Sequence, residues 1–398
     1  MSEPTERPAD LAARRAGFAD VRARREFVLM CAAGMLFSIT QNYSTLLAIV
    51  FAQNGRSFPE IGVLISLFAA PTLASTLLSG AICSRLGVLP SLRVAMLLTL
   101  VGLGSLAVTE QSFYGALASR LVQGAGVGLF LPAAMVYVQS RLTRDRFIYL
   151  VTAFSAVIPL GTAFAPPIGE WTLERFGSRI FFLTAVCWCA IGLVLTLGLR
   201  PAPAPQTKGL GLRSAAQRRF ATPLLAVITG GALYGFVISY LAPALKAHGV
   251  PLGVFFIPST AAMLSSRFLA MRRLEAVHPR FLVAGGLFLS AAGLVCVALT
   301  RSWPLAMIAG LALGSGNSVM FPVVAAWMAR GAPNAERAGT QAIASTSFYF
   351  GIYATPFAQT FLVEAWGFGA AEAILAALAC VVAVILLSSR SEAAPREA

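Results

Sequence analysis

The sequence predicts an all-α membrane protein with twelve transmembrane helices arranged as two parallel-repeat bundles of six. Three observations carry that expectation. The 398 residues are 58% hydrophobic and 12% charged, with a mean hydropathy of +0.78, whereas soluble domains are about 25% charged. The apolar residues gather into runs long enough to cross a hydrocarbon layer about 30 Å thick at about 1.5 Å per helical residue. Residues of the first half then recur in the second at a constant offset of 190. A membrane β-barrel would alternate apolar and polar residues with period two, and these runs do not.

In chain order the runs are 27–52, 60–83, 92–109, 113–138, 148–169, 180–199, 222–245, 251–271, 281–299, 303–328, 340–362 and 369–388. A polar, Arg-rich tail (1–25) precedes them without the form of a cleavable signal, so the first helix itself is expected to direct insertion. The first bundle spans 26–199. A Pro-, Gly- and base-rich linker, 200–221, beginning "RPAPAPQTKGLGLRSAAQRR", separates it from the second bundle, 222–388. A short tail, 389–398, follows.

Charge sets the expected orientation. Of 30 Lys and Arg, 24 fall in the tails and even-numbered connections, five on the opposite side (Arg56, Arg175, Arg179, Lys246, Arg301), and Arg120 within a helix. Cytoplasmic loops carry the Lys/Arg excess, so both termini are expected in the cytoplasm and the chain in the cell inner membrane. The net charge of +14 then reflects topology and implies no nucleic-acid partner.

Enzymatic chemistry finds little to stand on. The six cysteines lie in or beside apolar runs and read as small buried hydrophobes. The "CWC" at 187–189 has the wrong spacing for a thioredoxin-type site or a zinc knuckle. His248 and His278 lie at loop ends. There is no P-loop-type phosphate cradle, no clustered metal ligands and no nucleophile beside a base. No cofactor or metal is expected.

The repeat is carried by Gly and Pro. "GAGVGLFLP" at 124–132 matches "GSGNSVMFP" at 314–322; Gly161, Pro166, Glu174 and Gly177 match Gly351, Pro356, Glu364 and Gly367. Such residues persist where helices cross closely or kink. Parallel six-helix repeats are a known transporter design, with the substrate site near mid-membrane between the halves.

Polar residues inside the apolar runs mark candidate sites. "SITQNYST" at 38–45 interrupts the first run, and at 100° per residue Ser38, Gln41, Asn42 and Thr45 share a face. An amide facing lipid would find no partner. That face therefore lines a substrate cavity or bonds a neighbouring helix, although such bonds average only about 0.6 kcal/mol. The eleventh run carries Gln341, Ser345 and Tyr349 at spacing four, with Thr346 and Tyr353 beside them. Tyr234 and Asn317 are single mid-depth polar groups, and Tyr240 reads as an aromatic-belt residue. Arg120, inside the fourth run, must pair or face water; it reads as an anchor for an anionic substrate or as a structural group bonding backbone carbonyls. No carboxylate lies at mid-depth, which argues for neutral, zwitterionic or anionic cargo.

Residues 117–128, "LASRLVQGAGVG", and 161–169, "GTAFAPPIG", resemble two signatures of the major facilitator superfamily: Arg120 with Gly124, Gly126 and Gly128, and Gly161 with Pro166 and Gly169. The second is similar to the motif of drug/proton antiporters, with Ala165 in place of its usual Gly. The signature between the second and third helices is degraded: "GAICSRLGVLP" keeps Gly80, Arg85 and Gly87, but Ser84 stands where the acid belongs. The resemblance implies the major facilitator fold, a central cavity bordered by the first helix of each half, and proton coupling through Arg120. Glu170, which closes the antiporter-like stretch, is the candidate protonatable acid. The expected function is export of a small organic solute by alternating access, proton-coupled, by a monomer. The alternative is uptake of a small metabolite or metal-chelate ligand. A membrane-embedded sensor or lipid-processing enzyme is the reading from a different class.

Overall fold

The computed structural model describes residues 20–142, 147–202, 220–271, 277–331 and 337–389. Most of both tails and of the central linker lie outside that set. Among the described residues the regular structure is helical, with no strand. The helices are α1 (Val21–Asn42), α2 (Leu47–Gln53), α3 (Phe58–Ser66), α4 (Ala69–Leu86), α5 (Val88–Thr109), α6 (Phe113–Gln139), α7 (Phe147–Leu195), α8 (Ala221–Ser239), α9 (Leu241–Ala247), α10 (Leu252–Met271), α11 (Pro279–Ala298), α12 (Trp303–Arg330) and α13 (Arg337–Ser388). Nine helical stretches among the described residues are long and apolar enough to cross a membrane.

Local chemistry explains where several helices start. Asp20 caps α1, its carboxylate accepting from Ala23 N at 2.6 Å. Ser57 and Glu60 form a reciprocal capping box at α3, which satisfies backbone donors that a helix start leaves free. Ser112 caps α6. His278 Nδ1 accepts from Arg280 N at 3.3 Å ahead of Pro279, the first residue of α11. Burial, and secondarily Arg280, hold the His278 imidazole below its usual pKa.

The fifth and sixth runs form two helical limbs within α7, joined directly at the non-helical Gly177 (φ 78°). The eleventh and twelfth form two limbs within α13, joined in the same way at the non-helical Gly367 (φ 79°). Positive φ strains any residue with a Cβ, so a glycine at each bend lets the chain reverse with almost no loop. The two bends are 190 residues apart, matching the sequence repeat. Close approaches repeat as well: a Cβ on Gly161 would collide with Ser38, and one on Gly351 with the Ile228 carbonyl, and Ser38 and Ile228 are also 190 apart.

Call the end where α1 begins the base and the opposite end the top. At the base, buried Glu26 receives Arg141 Nε at 2.7 Å and Arg200 Nε at 2.6 Å, and Tyr137 donates to it at 3.2 Å. This cluster ties the starts of α1 and the linker to the end of α6. Arg85 is exposed and makes no ion pair among the described residues. At the top the halves meet: Lys246 Nζ lies 2.9 Å from Glu174 Oε1, Leu252 N donates to Glu170 Oε2 at 3.0 Å, and the Phe58 and Phe368 rings are 6.1 Å apart, edge to face.

Tyr240 corrects the belt expectation. It is fully buried, and its hydroxyl bonds the Pro356 carbonyl at 3.1 Å and the Thr360 hydroxyl. The physical reason is the break between α8 and α9, which turns the ring inward against α13.

Candidate functional site

The interrupted first run is a change of helix type. α1 gives way at Tyr43–Leu46 to a single 3₁₀ turn before α2 continues, and a 3₁₀ helix turns more per residue than an α-helix. Residues three apart eclipse in such a turn, so Thr45 stays in line with Asn42. Ser38 is buried and donates to the Ile158 carbonyl of α7 at 2.5 Å. Asn42 Nδ2 donates to Ser38 O at 2.8 Å, and Thr162 of α7 donates to Asn42 Oδ1 at 3.2 Å. Gln41 is half-buried, with a buried side-chain oxygen that meets no donor among the described residues. Thr45 is 1% exposed and donates back to the Asn42 carbonyl at 2.8 Å.

From Thr162 the polar chain crosses to the second half. The Tyr234 hydroxyl of α8 lies beside that of Thr162, with Arg267 of α10 in electrostatic reach. Arg267 Nη1 donates to the Ser155 carbonyl of α7 at 3.2 Å. Ser38, Asn42, Thr162, Tyr234, Arg267 and Ser155 thus link four helices of both halves. Tyr234, Tyr349 and Arg267 sit deep among packed atoms yet keep accessible surface.

Aromatic rings continue the wall. Tyr234 and Phe348 are stacked at 6.3 Å, Phe348 and Tyr349 lie 6.3 Å apart, and Tyr349 stacks on Tyr353 at 6.3 Å. Tyr353 meets Phe68 of the first half edge to face at 5.3 Å. Behind Phe68 sits Arg120, 2% exposed, its guanidinium 4.2 Å from the ring centroid. Arg120 also donates to Gln123 Oε1, to the Leu64 carbonyl at 3.4 Å and to Ser44 at 3.5 Å. One carbonyl, one hydroxyl, one amide and a π-face thus surround the buried cation. No carboxylate pairs with it among the described residues.

The remaining expected positions are spread more widely. Asn317 of α12 is half-buried, with a side-chain oxygen lacking a partner among the described residues. Ser345 is half-buried on α13, and the side chain of Gln341 lies outside the described residues. Glu170 is at the top, on the Leu252 amide, away from the mid-depth chain. Gly124 and Gly128 of α6 face α4, where a Cβ would strike the Phe68 and Thr72 carbonyls, and Gly126 faces Ala95 of α5. Thr72 and Thr76 donate to the Gly124 and Gly128 carbonyls at 3.1 and 2.9 Å. Gly169 approaches Leu46 and Phe181. Pro166 lies inside α7, Gly80 inside α4 and Gly87 (φ 90°) at its end. Among the described residues no three His, Cys, Asp or Glu gather as metal ligands.

Sequence reasoning missed Arg267, Thr162 and Phe68. By sequence Arg267 counts among the 24 bases of the tails and even-numbered connections, although α10 continues to Met271. Its lone position five residues before the Arg272–Arg273 pair was the available signal.

The profile of the Major Facilitator Superfamily matches residues 27–273 and 249–398. Among sequences, the chain is 26% identical over 210 residues to a "Probable vesicular acetylcholine transporter-B" of Danio rerio, covering 50% of this chain and 42% of that relative. Among solved structures it is similar to the nucleoside transporter NupG (TM-score 0.77, 14% identity, 91% of this chain and 99% of that one). It is also similar to a POT family transporter in complex with a thioalcohol-conjugated peptide (0.76, 13%, 91% and 95%) and to a D-xylose-proton symporter (0.73, 16%, 91% and 96%).

Proposed function

We propose that this chain, which belongs to the Major Facilitator Superfamily, is a secondary transporter that exports a small organic solute across the cell inner membrane by alternating access, driven by protons. The observation that carries the reading is the polar chain from Ser38 through Asn42 and Thr162 to Tyr234 and Arg267. It crosses the seam between the halves deep in the helices, beside tyrosines that retain accessible surface. The repeated bends at Gly177 and Gly367 and the repeated glycine contacts support two like-oriented bundles, 26–199 and 222–388, making twelve passes with both termini cytoplasmic. The contacts at the top support a conformer closed on that side. Rocking of one bundle against the other would open the top and close the base around the same cavity. The candidate binding side chains remain Ser38, Gln41, Asn42, Thr45, Tyr234, Asn317, Gln341, Ser345 and Tyr349, with Arg120 and Glu170 as coupling groups.

Uptake is the second reading, favoured by the proton symporter among the structural neighbours. Inverted membrane vesicles separate the two. Under export, an inside-acid pH gradient drives accumulation of cargo, and loss of charge at Arg120 or Glu170 abolishes it. Accumulation unchanged by both substitutions would remove those residues from coupling. A deletion strain that gains sensitivity to a toxic compound supports export; one that loses growth on a nutrient supports uptake.

A further inference from the structure

Two guanidinium groups flank the seam between the halves, and neither has an acidic partner among the described residues. Arg120 is sealed behind Phe68 and bonded mostly to protein acceptors. Arg267 differs. It keeps accessible surface, its Nη1 donates to a backbone carbonyl, and its Nε–H is buried with no partner among the described residues. Tyr234 is the group in electrostatic reach of it, as Tyr353 is of Arg120. A cation among packed helices without a counter-charge is costly. A guanidinium with free donors along its Nε edge is built for a two-oxygen acceptor.

Resting on the transporter reading above, we propose that the cargo is a small organic anion with an aromatic or flat apolar body, and that Arg267 receives its carboxylate. The wall from Tyr234 through Phe348 and Tyr349 to Tyr353 supplies ring faces for the body. A carboxylate on Arg267 takes up the orphaned Nε–H and neutralises the nearer cation. Arg120, behind Phe68, adds positive potential to the same space, where low dielectric preserves its reach. A cationic cargo meets two like charges and no acid; a neutral one leaves Arg267 uncompensated. Arg267 is therefore the specificity-determining residue of the cavity.

The test uses the purified full chain and three probes of one shape: benzoate, benzamide and benzylamine, at constant ionic strength with chloride as control. Benzoate is expected to raise the thermal unfolding midpoint in a saturable way, and the other two are not. Phenylacetate, cinnamate and hydroxybenzoates are run alongside to cover body size. Arg267→Gln is expected to weaken the apparent carboxylate affinity roughly tenfold or more, the scale of a lost charge-assisted bond. Arg120→Gln is expected to weaken it less. Equal stabilisation by benzamide, a preference for benzylamine, no response to any carboxylate, or unaltered benzoate binding in Arg267→Gln overturns the proposal. Should Arg267→Gln fail to fold, the wild-type preference among the three probes decides. A chain that alternates access but ignores carboxylates sinks this inference alone; one that never alternates access sinks the transporter reading.

Discussion

Glu170→Ala should release the top of the molecule. In the structure Glu170 Oε2 accepts the Leu252 amide at the start of α10, a carboxylate-to-backbone bond joining the two halves. Hydrogen bonds to charged groups contribute about 1.5–3 kcal/mol. A bond made only in the top-closed conformer shifts the equilibrium by its full value. At 1.4 kcal/mol per tenfold, a loss of about 2 kcal/mol changes the ratio of closed to open molecules roughly 30-fold. The neighbouring Lys246–Glu174 pair is shorter but sits in solvent, its side chains 37% and 54% exposed. Exposed pairs contribute about 0.2–1 kcal/mol, so Lys246→Ala should shift the ratio no more than about fivefold. Spin labels on Arg175→Cys and His248→Cys, exposed positions at the top of opposite halves, would read both populations in a cysteine-free background. Unchanged distance distributions in Glu170→Ala, or an equal shift in Lys246→Ala, would refute the assignment of the clamp to the carboxylate–amide bond.

Three further outcomes follow from named contacts. Glu26→Gln removes the charge that holds Arg141 and Arg200 and should destabilise the detergent-solubilised protein by about 3 kcal/mol; Arg85→Gln, exposed and without an ion pair among the described residues, should stay within about 0.5 kcal/mol, and thermal unfolding compares them. Gly128→Ala places a methyl on the Thr72 carbonyl and should cost about 1–3 kcal/mol; Gly285→Ala, with open space around it, should be near neutral in the same assay. The His278 imidazole should titrate below about 6.5, because burial disfavours its charged form. A folded pKa below the unfolded one means the cap on α11 is intact above the unfolded value and is lost as pH falls through the folded one. Ring proton shifts followed by NMR check this, and a midpoint above about 6.5 would contradict it.

The helical, membrane-spanning fold was legible because hydropathy is a bulk property: a run of about twenty apolar residues has few other uses. Runs at 148–169 and 180–199 mapped onto the two limbs of α7, and only the tightness of the bend at Gly177 was hidden, since a reversal through one positive-φ glycine leaves almost no loop to see. The site was legible in part. Ser38, Asn42 and Tyr234 converge, but through Thr162, a residue whose polarity carried no weight inside a Gly/Pro motif. The 3₁₀ turn at Tyr43–Leu46 was not legible, because nothing in "NYST" announces it. Arg267 escaped because charge near a helix end looks like loop charge until packing shows α7 against it.

The most direct measurement is side-specific labelling of single cysteines at Gln41 and Tyr234, one in each half, in a cysteine-free chain reconstituted in oriented liposomes. With a membrane-impermeant maleimide, both positions should react from the side of the base at rest, and from the side of the top once Glu170→Ala has released the clamp. Positions that stay unreactive from both sides in both backgrounds would contradict a shared internal cavity opened alternately to the two faces.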